Sequence, residues 1–253
     1  MRIISTTAQW IKLRKTLKAQ GRTIGLVPTM GALHEGHASL VRRSAKENDV
    51  TIVSVFVNPT QFNDKKDLAK YPRTPQKDAK LLSAAGADYM LMPEYDSLYP
   101  DDYRYRVSEN KESAILCGAY RPGHFDGVLT VVLKLLCLAG ADRAYFGEKD
   151  YQQYRLIAGM KEAFFLPVEI VPCKIVRESD GLAMSSRNAL LTPENRKIAP
   201  QLNAALTGGK TAAQAKAKLA KAGFKVDYVQ DIYGRRFAAA KLGSVRLIDN
   251  VKI

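Results

Sequence analysis

The sequence is poor in the features that mark several protein classes. It has three cysteines, Cys117, Cys137 and Cys173, an odd number too widely spaced for a zinc or redox pair, which fits a reducing compartment. No apolar run approaches the roughly 20 residues of a membrane helix, and the longest, residues 128–139, is interrupted by Thr130 and Lys134. The opening residues Met1, Arg2, Ile3, Ile4 and Ser5 pass straight into an amphipathic segment without the apolar stretch of a signal peptide, so a cytoplasmic location without membrane partners is expected. The common nucleotide fingerprints are missing as well. Gly208-Gly209-Lys210-Thr211 resembles the end of a P-loop, but Ala204 stands where its first glycine belongs and no strand precedes it; nor does a G-x-G-x-x-G follow a strand. It reads as an interhelix turn, and neither P-loop phosphate transfer nor hydride chemistry is favoured.

What is present describes an ordinary globular chain. Its 253 residues, 46% hydrophobic and 25% charged, suffice for one large domain or a large and a small one. The formal charge of +14 could serve nucleic acid, an anionic small substrate or solubility alone. Residues 208–253 hold ten Lys or Arg against three Asp, half of that excess. A solvated, lysine-rich tail is the expectation. No binding motif or aromatic interleaving supports a nucleic-acid partner.

The organising stretch is Pro28-Thr29-Met30-Gly31-Ala32-Leu33-His34-Glu35-Gly36-His37, between the apolar run Ile24-Gly25-Leu26-Val27 and Ala38-Ser39-Leu40-Val41. It reads as strand, glycine turn and helix, placing His34 and His37, two of the three histidines, on one face of a first helical turn. Unpaired N–H groups and the dipole at a helix start attract anions, so a phosphate site is expected there, ahead of an inert surface turn or a zinc site.

Around it, residues 6–20 read as a first helix with Thr6 or Thr7 as N-cap and Gly21 as stop. A helix at about 38–48 and a β-branched run at 50–57 complete a βαβ unit, after which Asn58 and Gln61 lie just beyond a strand's carboxyl end. Thr74-Pro75 starts a helix closed by Gly86, and residues 87–93 form a strand. Residues 94–117 show weak periodicity. A turn-rich loop at 118–127 leads into a buried helix at 128–138 capped by Gly140. A strand at 144–146 ends in Gly147-Glu148-Lys149-Asp150, followed by a helix to Phe164 and a strand at 168–171. After a hydroxyl-rich, basic loop at 176–188, helices from Thr192-Pro193 and at 211–222, a strand at 225–233 and a hairpin through 238–253 complete the chain. The fold class is therefore α/β, a Rossmann-like doubly wound parallel sheet over residues 1–175, with a smaller C-terminal α+β domain over 176–253 that is a candidate lid.

Each further site candidate has a plainer reading. Lys149 alone would be a solvated charge, but it follows a strand end. Ser185-Ser186-Arg187 could merely cap a turn, yet two hydroxyls beside a guanidinium suit polyphosphate. Asn58 and Gln61 suit hydroxyls or a carboxylate, or serve only the turn.

Five stretches in register, at 28–37, 56–62 (Phe56 to Phe62), 121–125 (Arg121 to Phe125), 146–153 (Phe146 to Gln153) and 180–188 (Asp180 to Asn188), resemble the pantoate-beta-alanine ligase family of the nucleotidylyltransferase superfamily, as does the ending Arg246-Leu247-Ile248-Asp249-Asn250. The tail before that ending is shorter than is usual in the family. The resemblance implies that pantoate's carboxylate attacks the α-phosphate of Mg-ATP to give pantoyl adenylate and pyrophosphate, and that β-alanine then displaces AMP to give pantothenate. It implies ATP and Mg2+, with metal ligands unassigned, and a homodimer. Met30, Gly31, Ala32, Leu33, His34, Glu35, Gly36 and His37, the HxGH motif among them, then form one ATP-binding segment and Gly147, Glu148, Lys149 and Asp150 another, completed by Val176, Met184, Ser185, Ser186 and Arg187. Lys149, Ser185 and Arg187 would contact phosphates, Gln61 and Gln153 would hold pantoate, and Asn58 would be a secondary contact. His37 is the family's proposed proton donor; His34 and Lys149 would carry transition-state charge, with Arg187 beside them. Arg121 and His124 carry no assignment. A cation at a helix start is disfavoured until an anion arrives, so both histidines are expected to be neutral and to gain proton affinity with ATP. The rivals are a nucleotidylyltransferase acting on a phosphorylated acceptor and a basic nucleic-acid binder.

Overall fold

The computed structural model describes residues 1–253, Lys65 by its backbone alone. In chain order it contains β1 (Arg2–Ile4), α1 (Thr7–Ala19), β2 (Ile24–Thr29), α2 (Glu35–Glu47), β3 (Val50–Val55), α3 (Lys65–Lys70), α4 (Pro75–Ala85), β4 (Tyr89–Leu91), α5 (Tyr95–Leu98), α6 (Cys117–Tyr120) and α7 (His124–Ala139). There follow β5 (Arg143–Gly147), α8 (Tyr151–Ala163), β6 (Glu169–Cys173), α9 (Pro193–Ile198), α10 (Gln201–Gly208), α11 (Ala212–Lys221), β7 (Lys225–Ile232), β8 (Arg235–Leu242) and β9 (Val245–Lys252). Six strands form a parallel sheet in the order β1-β4-β3-β2-β5-β6, and the last three form an antiparallel sheet, β7-β8-β9.

Alternating side chains explain the large sheet. On β2 and β3, Ile24, Leu26, Val50 and Ile52 point into a core shared with α1, α7 and α8, whereas Val27 and Val53 point to the opposite face, covered by α2 and α4. Strands buried on both sides read as unbroken apolar runs, and the β-branched stretch at 50–57 is one. Helix α7, with buried residues along its whole length from His124 to Ala139, fills one face and ends at Gly140 in the left-handed conformation.

The small sheet is also buried on both sides. Tyr228, Phe237 and Ala239 join the core of the large sheet, while Ala238, Ala240, Leu242 and Leu247 pack with α10 and α11 residues such as Leu202, Leu206 and Leu219.

Several elements differ from the sequence reading. Strand β1 was unforeseen, since it has three residues of which only Ile4 is buried. Helix α2 begins at Glu35 rather than near residue 38, and α7 begins at His124 rather than 128. Within the basic tail, Lys210, Lys216, Lys218, Lys221, Lys225, Lys241 and Lys252 are exposed as expected, but the arginines are not solvated. Arg235 and Arg236 are 5% and 3% exposed, and Arg235, Arg236 and Arg246 pair with Glu148, Asp231 and Asp227.

Candidate active site

Leaving the edge strand β1 aside, the chain runs outward from β2 through β3 to β4, then returns to β5 beside β2 and continues outward to β6. The crevice between the carboxyl ends of β2 and β5 is thus the topological switch point, where open α/β sheets bind ligands. A cavity of about 250 Å³ lies there. It is lined by Met30, His34, Gly36 and His37 after β2, Asn58 and Gln61 after β3, Gly147, Lys149, Asp150 and Gln153 after β5, and Val176, Met184, Ser185, Ser186 and Arg187 after β6.

The two histidines cap their own helix. His34 is the N-cap residue of α2, and its Nδ1 accepts the Gly36 N–H at 3.1 Å. The His37 Nδ1 accepts the His34 N–H at 3.3 Å, and the ring centroids stand 4.1 Å apart. Gly36 is required by this packing, because a Cβ there would lie 2.8 Å from His34 Cε1. With each Nδ1 accepting, the neutral rings carry their protons on Nε2, the nitrogen left for the cavity. Burial lowers His34 to about 4, helped by the nearby Lys149 ammonium; burial followed by the charges of His34 and Lys149 lowers His37 to about 3. Both are therefore neutral near pH 7, as the sequence reading expects, but burial rather than the helix dipole is the main cause. The helix start likewise offers fewer free N–H groups than anticipated, since the imidazoles take two of them and present Nε2–H donors instead.

The expected binding segment is only partly cavity wall. Gly31, Ala32 and Leu33 are set back, because the Ala32 and Leu33 N–H groups donate to the Asp78 carboxylate at 3.1 and 2.8 Å. Asp78 is 2% exposed and also receives the Thr74 hydroxyl at 3.1 Å. Gly31 and Ala32 have left-handed backbones, φ 80° and 50°, which this anchor holds. Glu35 is also set back, on the surface in an ion pair with Arg42. Asp78 escaped the sequence reading because it resembles any first-turn acid of a helix.

Beyond β3 the side chains form a tight frame. Asn58, 1% exposed, accepts from Tyr99 and Thr60 through Oδ1 at 3.0 and 3.1 Å. Its Nδ2 donates to the Gly127 carbonyl and to Gln61 Oε1, both at 3.1 Å. Its polar atoms are thus committed within the protein, and it orients Gln61. The Gln61 carbonyl accepts from His124 Nδ1 at 2.9 Å and Arg121 Nη2 at 3.2 Å, and Arg121 Nη1 stands 3.0 Å from His124 Nε2. The ring therefore donates through Nδ1 and accepts through Nε2. Burial, then Arg121, lowers His124 to about 3; burial, then Arg187, lowers Arg121 to about 10. Gly127 lets α7 touch this turn, since a Cβ there would lie 2.5 Å from the Thr60 carbonyl oxygen and 2.7 Å from the Gln61 nitrogen.

On the far side, Lys149 stands 3.7 Å from Asp150. Glu148 turns away from the cavity and accepts from Arg235 at 2.7 Å. Ser185 Oγ accepts the Arg187 N–H at 3.2 Å, so it does cap a turn; Ser186 meets the Tyr71 hydroxyl at 3.4 Å, and Arg187 donates to Asp67 at 3.2 Å. A larger cavity, about 710 Å³, adjoins the first and shares Arg121, His124, Lys149, Gln153 and Arg187 with it. The enclosure is suited to an anion held between cations and neutral imidazoles, beside the Gln61 and Gln153 side chains for a polar acceptor.

Comparison with known proteins finds relatives along the whole chain. A family model described as pantoate-beta-alanine ligase matches residues 2–252. A pantothenate synthetase of Bdellovibrio bacteriovorus is 58% identical over 236 residues, 93% of this chain and 94% of its own. One from Legionella pneumophila is 48% identical over 250 residues, 99% of each chain. Among solved structures, the Francisella tularensis pantoate-beta-alanine ligase, in complex with beta-gamma ATP and beta-alanine, superposes with a TM-score of 0.94 at 41% identity, covering 100% of this chain and 97% of its own. The Thermus thermophilus pantothenate synthetase gives a TM-score of 0.91 at 40% identity, covering 100% and 99%.

Proposed function

The chain belongs to the pantoate-beta-alanine ligase family, and from that premise we propose that it joins pantoate to β-alanine using ATP, through pantoyl adenylate, releasing AMP and pyrophosphate. The observation that carries this reading is the pair of neutral imidazoles facing Lys149 across the switch-point cavity. The protein has little covalent work to do; it aligns a carboxylate with a phosphate and disperses the charge that moves.

In the first step a pantoate carboxylate oxygen bonds to the α-phosphorus as the bond to pyrophosphate breaks. Lys149 and the Nε2–H groups of His34 and His37 stabilise charge on the phosphate oxygens, with Ser185, Ser186 and Arg187 on the polyphosphate. His37 acts as a hydrogen-bond donor from its neutral ring, and the developing charge raises its proton affinity. Gln61 and Gln153 hold pantoate. Asn58 supports this from behind by fixing Gln61, and Gly31, Ala32 and Leu33 do so by shaping the loop. Met30, Gly36, Gly147, Asp150, Val176 and Met184 complete the nucleotide wall, while Glu35 and Glu148 stand behind it. In the second step the β-alanine nitrogen bonds to the acyl carbon, the carbon–oxygen bond to AMP breaks, and the amine proton passes to solvent.

Among the described residues no three His, Cys, Asp or Glu gather as a metal site, but Asp150 lines the cavity. One carboxylate fits Mg2+, which takes its other ligands from phosphate and water. When bound, Mg2+ neutralises triphosphate charge. The same reading includes a homodimer and a division at residues 1–175 and 176–253, with the second part a candidate lid because it supplies Met184 to Arg187. A cytoplasmic location is supported by three unbonded cysteines. Among the described residues no helix is long and apolar enough to cross a membrane, and no nucleic-acid partner is included.

Pantoate labelled with 18O in its carboxylate tests the intermediate. One labelled oxygen must appear in AMP, because the acyl carbon loses that oxygen when β-alanine attacks; label-free AMP would exclude an adenylate.

A further inference from the structure

We infer that Asp249 and Asn250, consecutive residues of β9, are positioning residues that hold both phosphate-binding segments of the site in register. The inference rests on the reading of Lys149 and the 184–187 turn given above. Neighbouring side chains on a strand point to opposite faces, and β9 lies in a sheet buried on both sides. Its two faces therefore reach different halves of the molecule.

Toward the large sheet, Asn250 Nδ2 donates to the backbone carbonyls of Glu148 and Lys149, at 2.9 and 3.0 Å. Its Oδ1 accepts Arg235 Nη1 at 2.7 Å, and Arg235 Nη2 continues to the Glu148 carboxylate at 2.7 Å. The same guanidinium lies 4.0 Å from the centre of the Tyr151 ring. Asn250 is 1% exposed. The peptide units on both sides of the Lys149 Cα are thus set by one amide of the C-terminal sheet, which Arg235 holds in place.

On the other face, Asp249, 3% exposed, accepts Arg177 Nη1 and Nη2 at 2.7 and 3.0 Å and Asn203 at 3.2 Å. Arg177 also donates to the Gly181 carbonyl at 3.1 Å and is bridged to Ala183. Met184 N–H bonds the Val176 carbonyl at 3.0 Å. The loop that ends in Met184, Ser185, Ser186 and Arg187 is therefore gripped at its base by Asp249. One dipeptide thus ties the lysine and the arginine turn together, although neither of its side chains lines the 250 Å³ cavity.

The full-length enzyme tests this with a double-mutant cycle between Asn250→Ala and Lys149→Ala, assayed as pantoate-dependent pyrophosphate release and paired with thermal melts. Displacing a phosphate-binding group by a fraction of an ångström to an ångström costs about tenfold to a hundredfold, so Asn250→Ala alone is expected to lose at least tenfold in kcat. In the Lys149→Ala background it should lose less than threefold more, while its effect on Tm is the same in both backgrounds. Equal losses in the two backgrounds would overturn the inference, because they would show a general loss of structure; so would wild-type kcat in Asn250→Ala. If Asn250→Ala does not fold, the isosteric Asn250→Asp, which keeps the Arg235 contact and lacks the Nδ2 donors, is read by the same criteria. Full activity in Lys149→Ala would instead remove the functional reading itself, an outcome distinct from failure of the Asn250 arm.

Discussion

The histidines make the most specific claims at the scale of single residues. Both His34 and His37 spend Nδ1 on backbone N–H groups, so adding a proton at Nδ1 breaks a cap as well as charging a buried ring. An anion in the cavity reverses the electrostatic balance by offsetting Lys149. In imidazole NMR titrations, His34 and His37 are expected to titrate near 4 and 3 without nucleotide and to rise by about one unit or more with ATP; unchanged or lower values would contradict this. His124 gives a stability prediction. Its folded pKa, about 3, lies below the ordinary 6.5, so the unfolded chain takes up the proton first as pH falls. The stabilisation is complete above about 6.5 and is lost progressively toward 3. Urea unfolding between pH 6.5 and about 5, above most carboxylate titration, should lose up to about 1.4 kcal/mol per pH unit from this group, with similar losses from His34 and His37, whose folded values also lie below that window. His124→Gln should flatten that dependence; an unchanged slope would show that His124 does not contribute.

At the scale of elements, the site depends on short turns held from outside. Asp78→Asn replaces a carboxylate that accepts two backbone N–H groups with an amide that can accept through one oxygen only. A loss of about 1–3 kcal/mol in urea unfolding is expected, together with a raised KM for ATP. Gly127→Ala places a methyl group against the Thr60-Gln61 backbone, which should lower kcat/KM for pantoate about tenfold while leaving KM for ATP within twofold; equal effects on both substrates would contradict the placement of Gln61. The β2-α2-β3 unit was legible because period-two burial, a glycine turn and helical spacing all agree. The start of α7 was not, since Gly123 precedes it in a left-handed conformation with no side-chain cap. His34 as an N-cap was equally hidden, because capping is expected of Ser, Thr, Asp or Asn. The site's types of residue could be read from motifs, but Asp78 and Arg235 act through tertiary contacts that have no local pattern, and the ending that contains Asn250 did not show which carbonyls its amide reaches.

At the scale of the molecule, the two sheets share one core, and the switch-point cavity of the large sheet has its Lys149 segment held from behind by the small one. The tail's charge separates accordingly, with exposed lysines outside and paired arginines inside, which argues against reading +14 as a single basic face. The family assignment and this geometry meet at Lys149, which faces the two imidazoles and is fixed through its backbone by the C-terminal sheet. The most direct measurement is therefore pantothenate formation from pantoate, β-alanine and ATP, with nucleotide products counted, for the wild type and Lys149→Ala side by side. One AMP per pantothenate in the wild type and a loss of about a hundredfold or more in kcat for the variant are expected; ADP as the product, or full activity in Lys149→Ala, would contradict the proposed chemistry at this site.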